Sequence, residues 1–187
     1  MAFSSDLQTD HNDLSEQQYD ALNRLVDKHV LIANVGDEFR KAVEDIMADS
    51  VVGLSVEGIM FGPYSQASLV SFATPSRVYL FDVYTVGVAA FENGLCDILT
   101  SEQTEKVIYN CRIVSDYLHH KHQVAIGYVY DTQVVDLMST QVKSRQFPLY
   151  RHSLPQCLGT YLNIPAHLIY CPEIPEGTTM ESLQWNK

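Results

Sequence analysis

Three β-type runs lie in close succession at Val51–Gly58, Leu69–Thr74 and Arg77–Tyr84, and everything after them alternates between helical and strand periodicity. Only Pro75-Ser76 separates the last two, which suits a tight antiparallel turn. Beyond this meander the pattern predicts a helix over about 87–100 on Phe91, Leu95, Ile98 and Leu99, then a strand at Lys106–Tyr109 and a helix over about 112–122. A strand at Ile126–Tyr130 and a helix over about 132–142 follow. Strands linked through helices need crossovers and therefore run parallel. The expected architecture is α/β: a mixed sheet with a three-stranded antiparallel meander, added parallel strands and helices on both faces.

Ahead of the meander, a polar start gives way to a helix over about 15–27 with Ser15 as its cap, then a short β-type run at His29–Asn34. A further helix carries Phe39, Val43, Ile46 and Met47 at i, i+4, i+7 and i+8, one core-facing stripe. After a loop at Gln146–His152, another amphipathic helix holds Leu154, Cys157, Leu158, Tyr161 and Leu162, and Asn163-Ile164-Pro165 stops it. The expected organisation is an N-terminal tail and helix (1–28), a main domain (29–170) and an irregular tail (171–187). The 187 residues, 46% of them hydrophobic, can bury one sizeable core and not two comfortable ones.

Twelve basic residues against twenty-three acidic ones leave a net charge of −11, which opposes a phosphate backbone. Any nucleic-acid site must be local or supplied by a partner. The segment Lys143–Arg151 is the one basic and aromatic mixture, and with Arg77 and Arg112 its Lys143, Arg145 and Arg151 are the candidate RNA contacts. Cys96, Cys111, Cys157 and Cys171 are widely spaced and read as free thiols. No apolar run reaches eighteen residues and the start lacks the blocks of a signal peptide, so the chain reads as intracellular, and cytoplasmic. Phosphate-loop, dinucleotide, serine-hydrolase and H-E-x-x-H zinc motifs are all absent.

Four stretches occur in the order of one family. Leu69–Asp82 resembles the second and third strands of the DEDD 3′-to-5′ exonuclease domains, and Val107–Leu118 (VIYNCRIVSDYL) resembles their V-I-H-D-C-R-x-D-S-x-x-L. Asp131–Asp136 (DTQVVD) matches their D-T-Q-V-A-D, and Ser153–Leu162 their following helix. The chain thus resembles this ribonuclease-H-like family over about 30–165, and within it the exonuclease-domain proteins of the animal germline small-RNA (piRNA) branch.

The resemblance implies a site in which two magnesium or manganese ions, roughly 4 Å apart, activate a water and stabilise the leaving oxygen. Such hard cations need carboxylate oxygens. The family's D-x-E falls here on Ser55-Val56-Glu57, so Ser55 stands for an aspartate and Glu57 alone keeps its type. Glu57 fits equally well as the charged last residue of a strand. The second aspartate, after Cys111-Arg112-Ile113, is Val114. The third, in a later helix with a tyrosine or histidine four residues before it, has no counterpart after Tyr161: either that helix is lost or the given chain stops short of it.

Neither Asp116, set about 200° from Val114 around a helix, nor Asp131, which suits a helix cap, rebuilds the set. His119 and His122 share a helical face, yet without a third ligand nearby they suit a solvated helix end where imidazolium complements the dipole. One metal carboxylate of four remains, no catalytic residues and no cofactor are expected, and the resemblance implies an inert exonuclease-like adaptor or scaffold in a small-RNA complex with protein partners. Single-stranded RNA and a second copy, through Phe147, Leu149 and Tyr150, are further expected partners. The alternative is an active metal-dependent exoribonuclease with a non-standard or incomplete site.

Overall fold

The structure, a computed structural model, describes residues 15–58, 66–146 and 150–164. Its elements are α1 (Glu16–Asp27), β1 (His29–Ile32), α2 (Asp37–Met47), β2 (Val51–Glu57), β3 (Leu69–Ala73), β4 (Val78–Asp82), α3 (Val83–Val86) and α4 (Val88–Ala90). An irregular helical turn at Phe91–Leu95 leads into α5 (Cys96–Thr100), followed by β5 (Glu105–Ile108), α6 (Cys111–His122), β6 (Val129–Asp131), α7 (Thr132–Ser144) and α8 (Leu154–Leu162). Residues 16–151 form one compact unit and α8 belongs to a second. The expected tail from Cys171 and the loop residues Phe147 and Leu149 lie outside the described residues.

One six-stranded sheet runs in the order β1-β4-β3-β2-β5-β6. The meander β2-β3-β4 is antiparallel, while β5, β6 and β1 join it in parallel, as the alternation requires. Period-two patterning sends Val52, Leu54, Val70, Phe72, Tyr79 and Phe81 to one face, all buried. Phe81 sits edge-to-face with Phe39 of α2 and with Phe72. The other face carries the row Leu31, Leu80, Ser71 and Ser55, and is half open: Leu31 is 58% exposed.

Three expectations need correction. The helix over 87–100 is broken: Gly87 has φ +67°, and Asn93 and Gly94 leave helical geometry. A Cβ on Gly94, at φ +138°, would stand 2.8 Å from a Val43 methyl, so the break lets α2 approach. The strand foreseen at Ile126–Tyr130 is displaced to Val129–Asp131, because Gly127 donates its N–H to the Leu99 carbonyl and lies too near Thr100 to extend the ladder. Met47, assigned to the core stripe, is exposed at the last position of α2.

α8 starts on a reciprocal cap. Ser153 N–H donates to Gln156 Oε1 at 2.7 Å, and Gln156 N–H donates to Ser153 Oγ. The S-x-x-Q spacing announces it in the sequence.

Candidate functional site

Ser55 and Glu57 project from the same, outward face of β2, and both are exposed. Ser55 Oγ donates to Glu57 Oε1 at 2.6 Å, a short charge-assisted bond. Glu57 pairs with Leu69, which pairs with Asp82, so Asp82 lies two strands away in the same row, about 10 Å off at the usual strand spacing. Its carboxylate is occupied with capping α3: it accepts from Thr85 N–H at 2.9 Å and from Thr85 Oγ1 at 2.7 Å.

β2, β5 and β6 run parallel, so their C-terminal ends lie at one end of the sheet. There Asn110 takes a left-handed turn (φ 60°) and α6 begins. Val114, one turn in, is 7% exposed and packs in the core with Tyr117 and Leu118. Asp131, foreseen as the cap of α7, accepts from Gln133 N–H at 2.9 Å. It also accepts from Asn110 N–H at 3.0 Å and Cys111 N–H at 2.8 Å, so one carboxylate holds the starts of both helices. Burial pushes the Asp131 carboxyl up, but the hydrogen bonds from the Cys111 thiol and from the N–H groups of Cys111, Gln133 and Asn110 outweigh it and leave the pKa below the ordinary value. Burial, then the bond to Asp131, pushes the Cys111 thiol up to about 11.

The donor chemistry at the three aligned positions is a hydroxyl already donating to its neighbour, an isopropyl group in the core and one carboxylate. Those residues do not fit a pair of hard divalent cations, which take several anionic oxygens. Asp116 is committed to an exposed contact with His120 at 3.5 Å.

The basic candidates are dispersed. Arg112 lies in the first turn of α6, at the Glu57 end of the sheet. Arg151 belongs to the same end: its guanidinium reaches Gln133 Oε1 at 3.5 Å, and Gln133 Nε2 donates to the Tyr109 hydroxyl at 2.8 Å. Lys143 and Arg145 sit at the far end of α7, about 18 Å from its cap at 1.5 Å per residue. Arg77 lies in the β3-β4 turn, at the opposite end of the sheet from Glu57. The Tyr109, Gln133 and Arg151 chain has no spacing signal in the sequence.

His122 departs from its expected role. Rather than a solvated cation, it stacks on Phe91 with ring centroids 3.7 Å apart, and its Nε2 lies 3.2 Å from the Tyr117 hydroxyl. Tyr117 oxygen in turn accepts from Ala67 N–H at 3.1 Å. Burial, reinforced by Lys121, lowers the His122 pKa, so neutral imidazole is favoured. His119 and His120 are exposed, as a helix end predicts.

No protein-family model matches the chain. It is 34% identical over 142 residues to the piRNA biogenesis protein EXD1 of Bombyx mori, covering 76% of this chain and 45% of that protein. To the mouse (Mus musculus) protein of the same name it is 34% identical over 132 residues, covering 71% and 22%. The chain therefore spans less than half the length of these relatives. Trypanosoma brucei RNase D in complex with RNA U12 superposes with a TM-score of 0.60 at 19% identity, over 73% of this chain and 47% of that one, a likeness of fold. By sequence and fold together, the chain resembles the ribonuclease-H-like DEDD 3′-to-5′ exonuclease domains, in particular those of the proteins named for piRNA biogenesis.

Proposed function

We propose that this chain is a catalytically inactive 3′-to-5′ exonuclease-like domain that serves as an adaptor in a cytoplasmic germline small-RNA complex concerned with piRNA biogenesis. The observation that carries the reading is the coexistence of the family frame with Ser55, bonded to Glu57, and core-packed Val114 where metal carboxylates belong. Removing metal ligands takes away the charge that stabilises a leaving oxygen, and among the described residues at the three aligned positions only Glu57 carries charge. What remains is a frame able to hold partners. Residues 29–170 are the exonuclease-like unit of the proposal.

Two features support a protein-binding and RNA-contacting role. Along α7, Val134, Val135, Met138 and Val142 form one exposed apolar stripe about 100° wide, and Tyr150 beyond it is 85% exposed, which suits a protein partner or a second copy of the domain. Arg77, at the opposite end of the sheet from Glu57, is an exposed cation available to RNA phosphates, whereas Arg112, Lys143, Arg145 and Arg151 are exposed but dispersed.

Calorimetric titration of manganese tests the inactive site without relying on activity. We expect no two-ion binding by the unmodified chain and a gain of affinity in Ser55→Asp/Val114→Asp; tight binding of two ions by the unmodified chain contradicts the proposal.

A further inference from the structure

α1 ends beside the turn of the β3-β4 hairpin, and the two enclose a cleft of about 190 Å³ lined by Ala21, Arg24, Lys28, Pro75 and Ser76. Sheet register explains why a third cation lies beside it. β1 and β4 pair in parallel with His29 opposite Val78, which sets Lys28 beside Arg77 one residue earlier on each strand. Arg24 stands one helical turn before Lys28, so two cationic side chains, from α1 and its exit, line one opening with Ser76, and Arg77 follows Ser76 in the chain at its edge. All three are exposed, and among the described residues none of them is in an ion pair. The acidic neighbours on α1, Asp20 and Asp27, do not neutralise them by contact, and Arg77 leans on the Tyr79 hydroxyl, which itself donates to Asp45 at 2.8 Å.

Cations outside any ion pair among the described residues, gathered at a concave surface, are unusual in a chain of net charge −11. The cleft has room for a phosphate group with some of its water, a liquid water taking about 30 Å³. Arg24 offers a planar fork that matches phosphate oxygens, Lys28 a point charge, and Ser76 a hydroxyl donor. A single-stranded backbone crossing the cleft would meet Arg24 and Lys28, with Arg77 beside Lys28 at its edge.

We propose that this cleft, at the end of the sheet opposite Ser55 and Glu57, binds the phosphate backbone of single-stranded RNA. The proposal deepens the adaptor reading, on which its choice of RNA rests, by moving RNA contact away from the nuclease-like end. A bound strand leaves that end and α7 free for protein.

Anisotropy titrations of a labelled single-stranded RNA between 20 and 200 mM salt test it, using Arg24→Ala/Lys28→Ala/Arg77→Ala, the charge-keeping Arg24→Lys/Lys28→Arg/Arg77→Lys, and Arg112→Ala/Arg151→Ala, with a polyglutamate peptide as a second probe. Because the substituted side chains are exposed, thermal melts should coincide. The expected result is an affinity loss of tenfold or more in the neutralised triple variant, and a slope of log affinity against log salt shallower by about 2, from roughly 0.7 per phosphate contact. The charge-keeping variant should stay within about threefold of the unmodified chain, and the Arg112/Arg151 variant within about twofold. Undiminished binding by the neutralised variant, or loss confined to the Arg112/Arg151 variant, overturns the cleft while leaving the adaptor reading standing. Polyglutamate binding without RNA binding overturns it in favour of an acidic protein segment. Absence of RNA binding even at 20 mM salt removes RNA contact altogether and with it this proposal.

Discussion

Ser55 donates its hydroxyl to Glu57 across 2.6 Å on the outer face of β2, so on the proposed reading the Glu57 carboxylate is held by the residue that stands at its partner's position. A D-x-E pair on a strand would put two negative groups at that separation and need a cation between them. The serine instead satisfies the carboxylate by a hydrogen bond within the strand.

Asp131 accepts from three backbone N–H groups at the starts of α6 and α7. Asp131→Ala leaves the N–H groups of Asn110, Cys111 and Gln133 without their acceptor, and we expect a loss of about 3 kcal/mol in chemical denaturation, with Asp131→Asn losing less. The folded pKa lies below the unfolded one, so this stability is fully present above the ordinary aspartate pKa of about 3.9. It is lost as the pH falls through the depressed value, and the asparagine variant should show less of that acid loss.

His122 gives a second pH signature. Its folded pKa is lowered by burial, so stability is whole above the ordinary imidazole value of about 6.5 and declines as the pH falls toward the lowered one. Melting temperatures at pH 7.5 and pH 5 should differ less in His122→Phe, which keeps an aromatic ring for Phe91 to stack on.

With its thiol held up near a pKa of about 11, Cys111 should resist iodoacetamide in the folded protein at pH 8. Peptide mapping should find it modified only after unfolding; rapid native-state alkylation would mean that the Cys111 and Asp131 contact does not form.

Gly94→Ala combines a backbone conformation that alanine disfavours with a Cβ within 2.9 Å of both Val43 methyls. We expect a loss of about 3 kcal/mol. In a Val43→Ala background the steric part should be relieved and the backbone part should persist.

The meander was legible because strands betray themselves by period two and Pro75-Ser76 marks their turn, and the parallel additions followed from alternation alone. Ser55, Glu57 and Val114 are assigned to the metal positions only by the motif residues around them in the sequence. The break at Gly94 could not, since its cause is Val43 on another helix, and a period-3.6 pattern continues straight through it. The shift of β6 likewise depends on Gly127 meeting Thr100. Arg24 and Lys28 carry no such signal, because only the parallel register of β1 with β4, which no local pattern encodes, brings them to the hairpin turn. His122 was misjudged by its neighbours: a run of basic residues reads as solvated, but one of its faces meets Phe91.

The most direct test of the central claim is a time course of labelled single-stranded RNA with excess manganese, comparing the unmodified chain with Ser55→Asp/Val114→Asp, whose folding is checked by thermal melt. The unmodified chain is expected to show no 3′ shortening. Progressive 3′ shortening that a chelator abolishes would contradict it and restore the domain as a working exonuclease.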